Sequence, residues 1–289
     1  MTGIIIKGIG GFYYVKSEGK VHECKARGVF RKEKITPMIG DRVELNEDGS
    51  IEKIHPRTTA LIRPPVANID TLILVTAAAA PEPNLFLLDK MLVNAEINHI
   101  RPIICINKID LKRREDIEAI YRQAGYDVVR TMAQEDGETF SPESIEALMP
   151  YLKGHITAFA GLSGVGKSSI LRLVTGTELE TGCVSGKIHR GKHTTRHVEL
   201  LELPEGGFVL DTPGFSSFTV EGIQAAELED YFPEFAKRKN ECRFRGCSHL
   251  HEPECVIQQA VADGEIAASR YESYRQIYEQ LKTIKEWER

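Results

Sequence analysis

The chain has 289 residues, a formal net charge of −5, and 42% hydrophobic against 27% charged residues, the balance of a soluble globular protein. This length accommodates two or three domains whose cores need no cross-links. No apolar run approaches the ~18 residues of a membrane span, and Met1–Val15 lacks a basic leader and small-residue cleavage site, so a cytoplasmic protein is expected.

In chain order, the first region reads as short strands at Ile4–Lys16, Val21–Phe30, Asp41–Leu45 and Ser50–His55, separated by turns such as Ser17-Glu18-Gly19-Lys20. About five short strands in some 60 residues suit a small OB-fold barrel. Residues 1–63 hold 12 Lys/Arg against 8 Asp/Glu, a local +4 inside an acidic chain, and local charge governs contact with phosphate. Arg63-Pro64-Pro65 reads as a stiff linker, which bounds a first domain at 1–65.

The period then changes. Thr71–Thr76 is a continuous apolar strand, Leu85–Ile97 is helical, and Pro102–Ile106 is a second buried strand. Asp116–Gln123 is helical and Asp127–Arg130 extended. Pro142–Leu152 is helical with Ser141 as its N-cap. His155–Ala160 is a strand and Ser168–Val174 a helix. Strands alternating with helices imply a parallel sheet. Val198–Leu203 and Gly207–Leu210 form an antiparallel pair around Pro204–Gly206. From about 223 the pattern is helical and ends in the amphipathic stretch Ile266–Arg289. The domains expected are 1–65, 66–222 and 223–289.

The motifs lie on this framework in an unusual order. Asn107-Lys108-Ile109-Asp110 ends an apolar strand and matches the N-K-x-D loop that reads guanine. The Asp110 carboxylate can accept from guanine's ring N–H and exocyclic amine, donors that adenine lacks. Only afterwards comes Gly161-Leu162-Ser163-Gly164-Val165-Gly166-Lys167-Ser168, the full G-x-x-x-x-G-K-[ST] phosphate loop, between a strand and a helix as its mechanism requires. Lys167 supplies charge to the β/γ-phosphates, and the Ser168 hydroxyl is placed to bind Mg²⁺. In an ordinary GTPase the phosphate loop comes first. Both loops must meet around one nucleotide, so the order implies a circularly permuted α/β domain.

Further along, Gly191-Lys192-His193-Thr194-Thr195 occupies the place of a switch segment, where either threonine could complete the Mg²⁺ shell. His193 is a candidate to position water, although composition favours an ordinary solvated histidine. Asp211-Thr212-Pro213-Gly214 fits the γ-phosphate sensor, with Asp211 reaching Mg²⁺ through water and the Gly214 N–H reaching the phosphate. Phe215 stands where many GTPases carry a water-orienting glutamine, which predicts slow unaided turnover.

Six cysteines do not imply disulfides. Cys24, Cys105 and Cys183 are scattered, whereas Cys242-x4-Cys247-x-His249-x5-Cys255 has the residue types and density of a closed, structural zinc site. His251 is an alternative ligand on spacing alone. Lys237, Arg238, Lys239, Arg243 and Arg245 surround this segment.

Taken together, N-K-x-D ahead of G-x-x-x-x-G-K-S, then G-K-H-T-T, D-T-P-G-F and C-x4-C-x-H-x5-C, the chain resembles the ribosome small-subunit-dependent GTPase A family (RsgA, also called YjeQ or YloQ) over essentially its whole length. The resemblance implies an N-terminal OB-fold, a permuted GTPase domain and a C-terminal α-helical zinc-binding domain. It implies late maturation of the small (30S) ribosomal subunit, with slow GTP hydrolysis stimulated by that subunit. It assigns Asn107, Lys108 and Asp110 to guanine, Gly161 through Ser169 to phosphate and Mg²⁺, and Cys242, Cys247, His249 and Cys255 to zinc, favouring His249 over His251. It also raises His193 to the leading catalytic candidate. One departure is visible: the loop that supports guanine's carbonyl, usually Ser-Ala, reads Met132-Ala133. The expected partners are GTP/GDP and small-subunit ribosomal RNA, with no membrane and a monomeric chain. The alternative is an RNA-binding scaffold that holds nucleotide without hydrolysing it; a third is a signalling GTPase without RNA.

Overall fold

A computed structural model describes all residues except 33–34, 63, 133–140, 177–197, 212–218 and 284–289. The N-terminal strands β1 (Thr2–Ile9), β2 (Phe12–Ser17), β3 (Lys20–Ala26), β4 (Arg42–Leu45) and β5 (Ser50–Ile54) run in the order β1-β2-β3-β5-β4, and a β1–β4 pairing closes the barrel. Helix α1 (Gly28–Lys32) sits between β3 and β4, and β3 runs parallel to β5. That closure and connectivity are those of an OB-fold. Ile5, Val15, Cys24, Phe30, Val43, Leu45 and Ile51 fill the interior.

Three expectations change here. The strand expected at Val21–Phe30 ends at Ala26, and Phe30 lies in α1 instead, where it packs into the barrel interior. The single strand expected at Ile4–Lys16 is a hairpin that folds at Gly10-Gly11, both with positive φ. The stretch expected as a linker instead falls at two paired strands: β6 (Ala60–Ile62) and β7 (Pro65–Ala67) run antiparallel, with Ile62 opposite Pro65. Ile39 bridges to Val66, which ties that hairpin to the barrel. A proline-stiffened turn and a proline-stiffened linker look alike in sequence, and the pairing partners decide between them.

The central sheet contains β8 (Thr71–Ala77), β9 (Arg101–Asn107), β10 (Asp127–Arg130), β11 (Ile156–Ala160), β12 (Glu199–Glu202) and β13 (Phe208–Asp211), ordered β10-β9-β8-β11-β13-β12. All pairings are parallel except β12–β13. Every residue of β8 and β11 is buried, as strands covered on both faces must be. Leu72 and Leu74 enter one cluster with α2 (Leu85–Ile97) and α3 (Glu115–Ala124). Ile73 and Val75 enter the other with α4 (Pro142–Leu152) and α5 (Lys167–Thr175). Alternation along the strand thus splits the core into two layers. Ser141 stands at the N-cap position of α4, but its hydroxyl bonds Glu143 Oε2 at 2.9 Å instead of a helix N–H.

Barrel and central sheet are joined edge to edge. β1 pairs antiparallel with β12 at Lys7 and Glu199, and their side chains form an ion pair at 2.7 Å. Lys16 pairs with Glu202 at 2.6 Å beside it.

The C-terminal region comprises a 3₁₀ segment at Ala225–Tyr231, α6 (Pro233–Ala236), α7 (Val256–Ala262) and α8 (Ala268–Thr283). It packs Phe232, Phe235, Tyr274 and Ile277 into a third core that also receives Val93 of α2. Helix α2 is therefore apolar on two sides, which explains its weak amphipathic pattern. No helix among the described residues is long and apolar enough to cross a membrane.

Candidate functional site

Asn107, Ala160 and Asp211 end β9, β11 and β13 at the same carboxyl edge of the parallel sheet, the edge where such folds bind ligands. The phosphate loop leaves β11 through Gly161, whose φ is +140°; a Cβ there would lie 2.1 Å from the carbonyl oxygen of Val75 on β8. Gly166, at φ +100°, ends the loop, and a Cβ there would lie 2.2 Å from Asn107 Nδ2. Both glycines are thus required by close backbone approach as well as by φ. Helix α5 begins at Lys167 with no side-chain cap, which leaves its first N–H groups to an acceptor outside the helix. Ser168 and Ser169 lie in that first turn.

Lys167 curls back across the loop and donates to the Gly161 and Leu162 carbonyls at 2.8 and 2.6 Å. Burial pulls its pKa below the ordinary lysine value. The position suits an ammonium that exchanges carbonyl partners for phosphate oxygens.

The two inverted motifs meet directly. Asn107 is fully buried, and its Nδ2 donates to Val165 O at 2.9 Å, across 58 residues of sequence. Thr131 Oγ1 donates to Asn107 Oδ1 at 2.9 Å and touches Cys105 Sγ at 3.3 Å. Lys108, at φ +61°, sends its ammonium to Ala80 O and Gly164 O at 2.7 and 2.8 Å. Its stem therefore lies along the phosphate loop, where it can cover one face of a base. Asp110 is exposed in the lining of a cavity that it shares with Ile106, Ile109, Met132, Arg113, Arg114 and Arg130. A carboxylate beside apolar side chains, in a lining that also carries three arginines, suits a flat, hydrogen-bonding ring. Met132 lies in that wall, and its own N–H is engaged by Ser144 Oγ at 3.2 Å.

Thr131, Ala80 and Glu229 are participants that no motif marks. Thr131 follows β10, and its part depends on β10 lying beside β9. The backbone of Asp211 ends β13, while His193, Thr194, Thr195, Gly214, Phe215 and Ala133 lie outside the described residues.

In the C-terminal region Cys242, Cys247, His249 and Cys255 bring one donor atom each to within 4.8 Å of one another. Cys242 Sγ lies 3.9 Å from Cys255 Sγ and 3.6 Å from His249 Nδ1, and His249 Nδ1 lies 3.4 Å from Cys255 Sγ. A tetrahedral ion with metal–sulfur bonds of about 2.3 Å has edges of about 3.8 Å, so the cluster could hold a metal ion. His249 Nε2 meets Glu229 Oε2 at 2.9 Å, which leaves Nδ1 facing the Cys242 and Cys255 sulfurs. Burial, reinforced by the neighbouring sulfurs, pushes the Cys247 thiol up to about 12, so metal entry must displace protons. His251 is exposed and outside the cluster.

A parallel α/β sheet whose base-reading loop precedes its phosphate loop, yet is bonded to it, defines a circularly permuted GTPase. Comparisons with known proteins agree. The model described as RsgA GTPase matches residues 54–221, and that described as RsgA N-terminal domain matches residues 2–52. The chain is 49% identical over 98% of both chains to the small ribosomal subunit biogenesis GTPase RsgA of a Geobacillus species. It is 50% identical to the protein so described from Ruminiclostridium cellulolyticum, over 99% of this chain and 95% of the other. The crystal structure of YloQ, described as a circularly permuted GTPase, superposes with a TM-score of 0.80 at 41% identity, over 97% of this chain and 94% of that one. The chain belongs to the RsgA GTPase family, and its enzymatic class is that of a GTP hydrolase.

Proposed function

We propose that this GTPase acts in biogenesis of the small ribosomal subunit: it binds the 30S particle late in maturation, hydrolyses GTP slowly alone and faster on the particle, and changes its affinity for ribosomal RNA with nucleotide state. The observation that carries the nucleotide reading is the buried Asn107–Val165 bond, which fastens the base-reading loop to the phosphate loop despite their inverted order. The ribosomal reading rests on the small-subunit biogenesis relatives matched over nearly the full length.

In this reading Asp110 accepts from guanine, Lys108 covers it, and Asn107 braces the loop. Gly161, Leu162, Ser163, Gly164, Val165, Gly166, Lys167, Ser168 and Ser169 surround the phosphates. Ser168, with Thr194 or Thr195 and Asp211 through water, holds Mg²⁺, which neutralises phosphate charge when bound. The Gly214 N–H senses the γ-phosphate and His193 orients the attacking water. Cys242, Cys247, His249 and Cys255 hold one structural Zn²⁺; three thiolates and an imidazole suit that ion. The domains divide at 1–65, 66–222 and 223–289, with the β6–β7 hairpin straddling the first boundary. The protein works as a cytoplasmic monomer.

GTP turnover measured with and without purified small subunits tests the reading; equal, rapid rates would overturn it. Phe215 in place of glutamine favours one rival, an RNA scaffold without hydrolysis. His193→Ala separates the two, because a scaffold has no turnover to lose. Permutation itself supplies a coupling route. Hairpin β12–β13 ends in the γ-phosphate sensor at Asp211 and, at Glu199, pairs with the barrel. Equal subunit affinity with GTP and GDP would sink that coupling.

A further inference from the structure

Between the metal ligands Cys242 and Cys247 the chain projects a four-residue tip, Arg243-Phe244-Arg245-Gly246, every residue of which is exposed. Phe244 is 44% exposed, and among the described residues it is the one exposed Phe, Tyr or Trp ring. The neighbouring aromatics behave oppositely: Phe232, Phe235 and Tyr274 pack against one another at centroid distances of 4.6–5.3 Å.

The tip is also charged. Both ends belong to the Cys/His cluster that could hold a metal ion, and Gly246 at φ +69° makes the turn between them. Arg243 lies over the Phe244 ring at 5.6 Å and pairs with Glu254, so its guanidinium and the ring form one flat-faced unit. Residues 237–247 hold five Lys/Arg against one Asp/Glu in a chain of net charge −5. A lone exposed phenylalanine needs no explanation. A ring on a turn between two cysteines of the candidate metal cluster, bracketed by arginines and backed by a cationic segment, has the parts of a base-stacking platform: a π-face for the base and cations for the flanking phosphates.

Resting on the proposed ribosomal function, we infer that Phe244 stacks on an unpaired base of small-subunit ribosomal RNA, with Arg243 and Arg245 meeting the adjoining phosphates. Because every base has a π-face, the ring adds affinity without demanding sequence; the arginines make that affinity salt-dependent.

The full-length protein is titrated against purified small subunits. Phe244→Ala is expected to weaken binding about tenfold or more, given the usual worth of base–aromatic stacking. Phe244→Trp is expected to keep wild-type affinity, whereas Phe244→Leu should behave like alanine, since it is apolar but cannot stack. Metal content and the unstimulated GTPase rate stay at wild-type level in all three. A photoreactive phenylalanine analogue at 244 should crosslink to RNA. Alanine binding as tightly as wild type, leucine rescuing as tryptophan does, or crosslinks confined to ribosomal protein would each overturn the platform while leaving the ribosomal reading intact. Failure of the wild-type chain to bind subunits would overturn both.

Discussion

The junction of the two nucleotide loops and the core of the C-terminal region both bury polar side chains, but with opposite chemistry. At the junction the buried side chains are neutral: Thr131 donates to Asn107, and Asn107 donates to Val165 O. In the C-terminal core Arg270, 1% exposed, clamps Glu234 in two-pronged fashion at 2.7 and 3.2 Å and donates to Asp89 Oδ1 at 2.7 Å. Phe232 stacks beneath the guanidinium at 4.5 Å, and Tyr121 donates to the same Asp89 oxygen. Asp89 lies on α2, Glu234 on α6 and Arg270 on α8, so these charges join α2 of the central region to the C-terminal region. The difference teaches where each kind of bond is useful. Neutral hydrogen bonds let a loop yield slightly as ligand enters, whereas a buried ion triad tolerates no change of partner.

The comparison can be broken in four places, from the largest expected effect to the smallest. Chelation, or Cys255→Ala, should remove the metal and raise hydrogen exchange across 242–262, while α5 keeps its protection; equal loss of protection in both regions would contradict their independence. Arg270→Met leaves Asp89 and Glu234 buried without a cation and should cost about 3–5 kcal/mol in urea denaturation. A cost below about 1 kcal/mol would show that the triad is not binding the regions together. Asn107→Ala should cost about 1–3 kcal/mol, because the Thr131 hydroxyl and the Val165 carbonyl lose a buried partner. It should also weaken GTP binding, which a nucleotide titration reads, where Arg270→Met should not.

The smallest effect concerns Glu118. Burial raises its carboxyl, but hydrogen bonds from Arg122 and Arg130 outweigh burial and hold it below the ordinary glutamate value. A folded-state pKa below the unfolded one means the contribution is present above the unfolded value and lost as pH falls through the folded one. Glu118→Gln should therefore flatten the acid limb of the stability–pH curve, changing neutral-pH stability by about 1 kcal/mol or less.

Much of the molecule was legible in the residues themselves. Leu85–Ile97 is a helix at the expected residues, and the antiparallel pair around Pro204–Gly206 holds with Leu200 opposite Leu210. The phosphate loop was readable because glycine, lysine and serine at fixed spacing serve one local geometry. The Cys/His cluster was readable because thiolates and imidazole at such density serve little else. His249 and His251 could not be separated by spacing alone. Packing brings the buried His249, and not the exposed His251, into the cluster that could hold a metal ion.

What the sequence by itself determined was local: the periods of strands and helices, and the donor types and spacings of the N-K-x-D, glycine-rich and Cys/His segments. Tertiary structure alone decided the rest. It turned a proline-stiffened stretch into a hairpin turn, laid β12 against β1, made Thr131 a brace for Asn107, and drew Asp89, Glu234 and Arg270 together across 181 residues. The physical reason is that a period or a loop geometry is encoded by residues within a few positions of one another. A buried hydrogen bond or ion triad exists only when separate elements have packed and excluded water between them.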